Sequence, residues 1–460
     1  MKLLGNMIKG RVTEHTVLFI SVLKWIVLAI FVGAIVGTAT AIFLKTLAWA
    51  TGTSNSYSHY YLLLPLALFL SSLMVKYLAP DAEGHGTEKV IEAVHLTSGK
   101  IKAAVVPVKL VATVITIASG GSVGKEGPCA QIGAGLSSVF ADILRFGSSD
   151  RRKLVICGIS AGFASVFGTP IAGAIFALEV LAIGSISYEL LLPSFIAAII
   201  GYQATAWFDI SFFYHPLGFV PQFSAIFFLE VILAGIFFGV CSIILIDALR
   251  LGEYISSRIR IWKPLKGIIG GIALVVMTVI FSTQYLGLGL STIDASLNGQ
   301  GVAWYAFLVK ALFTSITLGF GGSGGIVTPI FFVGSSAGVT FAQFVGVDVA
   351  VFAAIGFVSL LAGAANTPIA AGIMSIELFG PKVAPYAVVA CAISYLITGH
   401  RSVYPSQMLA MVKSASLKAE LGQTIDNIKP EFVHREKSLI GVGMRLASKI
   451  RNSWQDKRKD

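Results

Sequence analysis

The stretch that decides the fold is residues 119–128, which read Ser-Gly-Gly-Ser-Val-Gly-Lys-Glu-Gly-Pro. A glycine-rich extended segment here runs directly into a helix that has Pro128 in its first turn, where proline is favoured. The free amide groups at such a helix start, together with the helix dipole, form a site for an anion. For one isolated motif of this kind, glycines that only permit close helix packing would be the favoured interpretation.

The motif occurs twice, and other parts of the chain repeat with nearly the same spacing. The matches are Gly33–Gly37 with Gly235–Gly239 at a shift of 202, Gly120–Gly124 and Pro128 with Gly321–Gly325 and Pro329 at a shift of 201, and Thr169–Ala172 and Glu179 with Thr367–Ala370 and Glu377 at a shift of 198. Chance does not readily align three such matches in order, so we predict two homologous halves. We divide the chain into residues 1–16, a first repeat 17–215, a second repeat 216–410 and a tail 411–460.

The composition excludes a soluble enzyme. Of the 460 residues, 55% are hydrophobic and only 12% are charged, and the mean hydropathy is +0.83, whereas soluble domains devote about a quarter of their residues to charge. Apolar runs recur along the chain, and several, such as 153–167 and 367–379, are shorter than the roughly 20 residues of a full span. We therefore predict an all-α polytopic membrane protein of broken and full membrane helices.

The basic residues predict the orientation of this protein. The net charge is +11, and lysines and arginines concentrate in residues 2–11, 250–266 and 413–459. By the positive-inside rule both termini are expected to be cytoplasmic. If each half crosses the membrane an odd number of times, the two halves must then have inverted topologies.

The basic tail is expected to meet anionic lipid headgroups, because no aromatic-interleaved module for nucleic acid accompanies it. Residues 432–450 within it either lie on the membrane surface or form a solvated helix. The four cysteines are scattered singly through apolar segments, without metal-type spacing, and no metal site is predicted.

Glu126 stands out among these residues. A carboxylate in an apolar membrane segment is costly and usually functional. As an anion at an anion site, Glu126 could occupy the place of a permeant ion, and protonation would neutralise it and let it swing away. A glutamate that caps a helix is the alternative interpretation.

Several motifs together resemble the CLC family of chloride channels and transporters. They are GKEGP at 124–128, GGIVTP at 324–329, PVK at 107–109, EGHGTE at 83–88 and TPIAGAIFALE at 169–179. The resemblance reaches to about residue 410. It implies a homodimer in the bilayer, with one path per subunit for chloride or another small inorganic anion and no further cofactor, and we expect a bacterial inner (plasma) membrane location.

The resemblance also implies roles for particular residues. Glu126 resembles the external gating glutamate, and the helix-start residues Gly124, Lys125 and Gly127 are expected to line the anion site. The backbone amides of Ile326 and Val327 resemble central anion ligands.

Two further side chains resemble family residues beside the anion. Tyr404 resembles the tyrosine whose hydroxyl contacts the anion; an aromatic side chain at the membrane interface is the alternative. Lys109 resembles a buried basic residue beside the path; pairing with a carboxylate or snorkelling is the alternative.

The sequence departs from the family pattern at two positions. His85 replaces a serine whose hydroxyl contacts the anion, so the anion preference and the pH response are open; a solvent-facing loop histidine is the alternative. Val180 stands where exchangers of the family carry an inward-facing proton glutamate. Its neighbour Glu179 and the repeat mate Glu377 are interpreted as structural carboxylates that satisfy backbone groups.

From Val180 we expect passive, channel-like anion conduction, slightly preferred over proton-coupled antiport. Transport of another small anion, such as nitrate or fluoride, is a more distant alternative. A carrier for an organic solute would need a wider cavity. An intramembrane enzyme is not predicted, because no catalytic constellation or histidine cluster stands out in the sequence.

Overall fold

A computed structural model describes residues 2–428 and 430–433, and in this part the chain is almost entirely helical. Sixteen α-helices follow one another in it. They are α1 Lys2–Asn55, α2 Leu64–Leu78, α3 Thr87–Leu96, α4 Val105–Ala118, α5 Glu126–Ile143, α6 Ser148–Phe167, α7 Pro170–Glu179, α8 Leu191–Ala206, α9 Ala225–Arg258, α10 Lys263–Phe281, α11 Leu290–Leu297, α12 Ala306–Gly319, α13 Val327–Val345, α14 Val349–Ala364, α15 Pro368–Phe379 and α16 Ala384–Thr398.

The helices are of two kinds, as the sequence predicts. Six segments of the described chain are long and apolar enough to cross a membrane: Thr13–Asn55, Tyr60–Leu78, Tyr188–Ala206, Ala225–Arg258, Lys263–Phe281 and Val327–Val345. Several others, such as α7 and α15, are apolar but only 10 and 12 residues long. On α1 large apolar side chains point outward, and Phe19 is 64% exposed, as a lipid-facing helix requires. The protein is therefore a polytopic membrane protein with broken and full helices.

Some helix bounds differ from the apolar runs. The helices α3 and α11 are absent from the prediction because they are only 10 and 8 residues long and amphipathic. The first helix starts at Lys2 instead of residue 17. Hydrogen bonding along the backbone continues into polar sequence that hydropathy alone cannot assign to a helix.

The two repeats use equivalent residues for equivalent packing. A Cβ on Gly37 in α1 would lie 2.4 Å from a carbonyl oxygen of α8, and a Cβ on Gly239 in α9 would lie 2.6 Å from the Ile397 side chain of α16. Gly120 and Gly321 share a left-handed backbone, with φ of 99° and 101°. Residues related by the sequence shift therefore have equivalent structural roles in the two repeats.

The short helices α7 and α15 cap each other. The two carboxylate oxygens of Glu179, at the end of α7, accept from the amides of Ile369 and Ala370 at the start of α15, at 3.0 and 2.8 Å. The carboxylate of Glu377, near the end of α15, accepts from the Ile171 and Ala172 amides of α7 at 3.0 and 2.8 Å. These contacts confirm that both glutamates are structural carboxylates.

Each glycine-rich segment also forms a hydrogen bond with a helix of the opposite repeat. The amide of Ser122 donates to Oγ1 of Thr317 in α12, and the amide of Ser323 donates to Oγ1 of Thr116 in α4, each at 3.1 Å. Gly124 and Gly325 form an antiparallel bridge. Antiparallel pairing of equivalent residues is what two repeats of inverted topology require.

The described residues also include four strands of two residues each. Three of them lie after residue 407, and the fourth pairs with one of these three. The parallel pair is β1 Ala182–Ile183 with β2 Met408–Leu409, and the antiparallel pair is β3 Leu417–Lys418 with β4 Glu431–Phe432. The side chain of Gln407 donates to the carbonyls of Val180 and Ala365, each at 2.8 Å, and thereby ties the ends of α7 and α14 together. The surface or solvated helix expected at 432–450 falls, beyond Val433, outside the described residues.

Candidate functional site

The site is built around Glu126, the first residue of α5, whose side chain is only 1% exposed. Its Oε1 accepts from Thr328 Oγ1 at 2.6 Å, and its Oε2 accepts from the Thr328 amide at 3.1 Å. Thr328 lies in the first turn of α13, in the other repeat. The carboxylate therefore caps α13, the helix of the other repeat, as the capping interpretation allows.

A carboxylate held in this way occupies the position of an anion. The starts of α5 and α13 meet through the Gly124–Gly325 bridge, so both helix dipoles favour negative charge at this point. The amides of Ile326 and Val327, at the start of α13, precede the first helical hydrogen bond and are free of helical partners. The arrangement holds one negative charge, either a side chain or a small ion.

Gly124 does not have the role predicted for it. Its amide donates to the Gly325 carbonyl, and the Gly325 amide donates back, both at 2.6 Å. Gly124 is therefore a pairing residue and not an anion ligand. The Gly124 amide, which was expected to be free for an anion, is occupied by the bridge between the repeats.

The other two helix-start residues in this repeat have different surroundings. Gly127 provides space, because a Cβ there would lie 2.0 Å from the His85 carbonyl oxygen. Lys125 directly precedes α5 and is half-buried.

His85 lies in the connection between α2 and α3, outside the spanning helices, and is 7% exposed, so the solvent-facing alternative is wrong. Its Nδ1 is buried without a hydrogen-bond partner among the described residues. Burial, with the positive charges of Lys109 and Lys89, lowers the pKa of His85 to about 4. The imidazole is therefore neutral at pH 7, and it offers a hydrogen bond but no charge.

Tyr404 is fully buried, so the interfacial alternative is wrong for it as well. Its ring centroid lies 6.4 Å from that of His85. The hydroxyl is buried, and no group in residues 2–428 and 430–433 meets hydrogen-bond geometry with it, although the Thr87 side chain lies close to it. Buried polar atoms are almost always bonded in native proteins. The unpartnered atoms of these two neighbouring rings therefore fit a ligand with acceptor character, such as a small anion.

Lys109 acts on this site through the backbone. Its Nζ is fully buried and donates to the carbonyls of Gly84 at 2.6 Å and Ala82 at 3.2 Å. Within the described chain no carboxylate lies in salt-bridge range of it, so carboxylate pairing and snorkelling are both wrong. The lysine fixes the connection that carries His85 and leaves a positive charge beside it.

Lys310 is the repeat mate of Lys109 at the same shift of 201, and the sequence motifs do not single it out. Its Nζ donates to the carbonyls of Tyr285 and Gly287 at 3.0 and 2.8 Å. It thereby fixes the connection before α11 as Lys109 fixes the one before α3. Thr328 is not singled out either, although it is the repeat mate of Gly127. Applying the repeat shift to each site residue finds both.

A cavity of about 510 Å³ leads to His85 from the side of the connection between α9 and α10. Lys76, Lys263 and Lys266 line it together with Glu83 and Glu253, and Ser323 lies at its wall. Lysines around an opening raise the local concentration of anions. The cavity therefore connects this opening with His85, and within it Lys263 is paired with Glu83.

Val180 shows no sign of a proton-carrying role. Its side chain is fully buried, and its carbonyl accepts from Gln407. Both oxygens of its neighbour Glu179 are engaged by amides of α15. A proton that crosses this protein must therefore use another group.

Fold and site together define a membrane protein that moves small anions between two inverted repeats. A family model described as voltage gated chloride channel matches residues 67–399. A chloride/fluoride channel protein of Pseudomonas syringae is 36% identical over 89% of this chain and 92% of its own. The chain belongs to the CLC family of anion channels and transporters.

Solved structures support the same assignment. The crystal structure of a CLC-type fluoride/proton antiporter superposes with a TM-score of 0.79 at 30% identity, over 84% of this chain and 98% of that one. A slow cyanobacterial Cl⁻/H⁺ antiporter superposes at 0.72 with 21% identity, over 82% and 94%, and shows the fold alone.

A further relative bears on the mode of transport. An H⁺/Cl⁻ exchange transporter of Salmonella paratyphi A is 26% identical over 76% of this chain and 80% of its own. Several of these relatives and structural neighbours are named antiporters. The preference for a channel, which rested on Val180, is therefore not supported, and the proton-coupled alternative is favoured.

Proposed function

We propose that this protein is a proton-coupled antiporter of a small halide ion. The observation that carries the proposal is the double hydrogen bond from Thr328 to the Glu126 carboxylate at the starts of α5 and α13. The carboxylate at this point takes the place and the donors that an anion would use. Anion binding and carboxylate binding therefore exclude each other.

This exclusion supports exchange. An arriving anion displaces the carboxylate, which then takes up a proton, because an unpaired carboxylate in apolar surroundings is unstable. The protonated side chain no longer competes for the helix starts. Its proton is released when the carboxylate returns and the anion leaves. Each cycle then moves an anion and a proton in opposite directions.

Fluoride is our first candidate for the cargo, and chloride is the second. Two relatives at 30% identity or more carry fluoride in their names. A small, charge-dense ion needs short, strong hydrogen bonds, and the Thr328 hydroxyl lies 2.6 Å from the oxygen that occupies the site. His85, neutral at pH 7, adds a donor where the family pattern has a serine.

The setting proposed for this cycle is a bacterial inner membrane. The basic connection between α9 and α10 and both termini lie on the cytoplasmic side, as the excess of lysine and arginine favours. The cavity lined by Lys263 and Lys266 is then the cytoplasmic entrance. The protein acts as a homodimer with one path per subunit.

The test is anion-driven proton movement in liposomes that contain purified protein. Vesicles loaded with fluoride or chloride are diluted into anion-poor buffer with the membrane voltage clamped, and the outside pH is recorded. We expect protons to enter against their gradient as the anion leaves. Anion efflux without proton uptake, for both ions and for nitrate, would leave passive conduction as the function. Glu126→Gln is the control that cannot carry a proton.

A further inference from the structure

Glu88 is a carboxylate of the described chain that the proposed cycle leaves without a role. It lies in the first turn of α3, three residues after His85. Its Oε1 accepts from the amide of Ser406 at 2.9 Å and from the Ser406 hydroxyl. Its Oε2 is buried and meets no partner in the part of the chain that the structure describes.

Its position links the anion path to the cytoplasmic surface. Ser406, which holds it, lies two residues after Tyr404 on the connection from α16 to β2. The Glu88 and Glu126 carboxylates both act electrostatically on the Tyr404 hydroxyl. Glu88 itself is half-buried, and its helix neighbours Lys89 and Glu92 form an ion pair at the surface. It therefore stands between the hydrated surface and the buried tyrosine.

The surroundings also suit a group that gains and loses a proton near neutral pH. Burial raises the pKa of Glu88 to about 7, and the negative charge of Asp426 adds to the effect. The hydrogen bonds from Ser406 and the positive charge of Lys89 act in the opposite direction. Both protonation states are therefore populated at physiological pH.

The two other candidates for an inner proton group are unsuitable. Val180 has no titratable atom. Both oxygens of Glu179 accept backbone amides of α15, so protonating it would break a cap. Glu88 differs because one of its oxygens is unengaged.

We propose that Glu88 is the inner proton carrier of this antiporter. This inference rests on the proposed proton coupling. A proton from cytoplasmic water adds to the Glu88 carboxylate to give the neutral acid. The acid releases the proton along the anion path past Tyr404 to the displaced Glu126 carboxylate, and Glu88 becomes a carboxylate again. Only a proton is transferred; no electron moves and no other covalent bond forms or breaks.

The experiment compares Glu88→Gln with Glu92→Gln in the liposome assay, recording anion efflux and proton uptake together. Glu92 is the matched control, because it is a surface glutamate one turn further along α3. We expect Glu88→Gln to lower proton uptake roughly tenfold or more while anion efflux stays near the parent rate. In Glu92→Gln both fluxes should match the parent.

The outcomes separate the two proposals. Retained coupling in Glu88→Gln overturns the Glu88 assignment and leaves antiport standing. A parallel fall of both fluxes, in protein with the parent's elution profile, also overturns it, because the role is then structural. A parent protein that moves no protons overturns antiport and the Glu88 assignment together.

A second readout is the dependence on the inner pH. If exchange needs protonated Glu88, the exchange rate of the parent falls as the inner pH rises above about 7. Anion efflux by Glu88→Gln should not show this fall, and exchange by Glu92→Gln should keep it. The same fall in Glu88→Gln overturns the assignment.

Discussion

Thr328 of the second repeat donates both its hydroxyl and its amide to the carboxylate of Glu126 in the first repeat, at 2.6 and 3.1 Å. The two repeats are nearly equivalent around these two residues, but Glu126 and Thr328 are not equivalent to each other. At a shift of 201, Glu126 corresponds to Val327, and Thr328 corresponds to Gly127. One repeat therefore supplies the proton acceptor and the other supplies the donors that hold it.

Removal of the Thr328 hydroxyl should weaken this hold. Thr328→Val keeps the shape and deletes a hydrogen bond to a charged acceptor, a contact worth about 1.5–3 kcal/mol. Since the anion still has the free amides of Ile326 and Val327, the carboxylate loses more of its binding than the anion does, and we expect fewer protons moved per anion. Thr328→Ser keeps the hydroxyl and should restore the ratio. A proton-to-anion ratio in Thr328→Val equal to that of the parent contradicts this role.

Tyr404→Phe removes only the unpartnered hydroxyl. If that hydroxyl donates to the bound anion, affinity should fall by about 0.5–1.5 kcal/mol, which is roughly 2- to 13-fold in Kd. Isothermal titration of fluoride and chloride into purified protein measures the change. Tyr395→Phe, a tyrosine in α16 outside the site, is the control. Equal affinities in the parent and Tyr404→Phe would remove Tyr404 from the ligands.

His85 predicts a dependence of stability on pH. Because its pKa is lowered from 6.5 to about 4 in the fold, the unfolded imidazole takes up a proton first as pH falls. The free energy of unfolding should therefore decline from about pH 6.5 towards pH 4, by about 3 kcal/mol at most.

Thermal unfolding in detergent over this pH range checks the sign. In His85→Gln the decline should be shallower than in the parent. Equal declines would show that His85 is not buried as a neutral ring. Between pH 7 and 8 the imidazole stays neutral in both states, and the two proteins should share one slope.

The reciprocal caps of α7 and α15 should contribute to stability. In Glu377→Gln a side-chain amide replaces one of the two oxygens that accept from Ile171 and Ala172. An amide left unpaired at this partly exposed helix start costs less than the about 1–3 kcal/mol of a fully buried one, so the melting temperature should fall by a small amount. Glu420→Gln, in an exposed part of the tail, is the control. An unchanged melting temperature in Glu377→Gln contradicts the capping role.

The sequence predicts the architecture and the centre of the site well, because both rest on repetition. The shift of 201 brings Gly124 to Gly325, and it places Glu126 at the start of one half-helix opposite the other. The same shift applied to Lys109 would have found Lys310. Repetition does not show which amide pairs across the two halves. The prediction that Gly124 is an anion ligand is wrong for that reason.

The preference for a channel is not supported by the comparisons, and the reason is a different one. That preference assumed that the residue at position 180 alone decides whether protons can cross. A proton needs a titratable group within reach of the path, and the fold brings Glu88 beside Ser406 although they are 318 residues apart in the chain. Contacts of that kind are fixed by tertiary packing and leave no local signal in the sequence.

The most direct test of the central claim is the potential at which net transport stops. Liposomes with purified protein hold a fixed fluoride or chloride gradient, potassium and valinomycin set the voltage, and the null potential is measured with and without a pH gradient. Coupled exchange predicts a null potential between the anion and proton equilibrium potentials, so that it differs from the anion equilibrium potential without a pH gradient and shifts when one is imposed, and it predicts that Glu126→Gln abolishes both effects. A null potential that stays at the anion equilibrium potential under every pH gradient would contradict proton-coupled antiport.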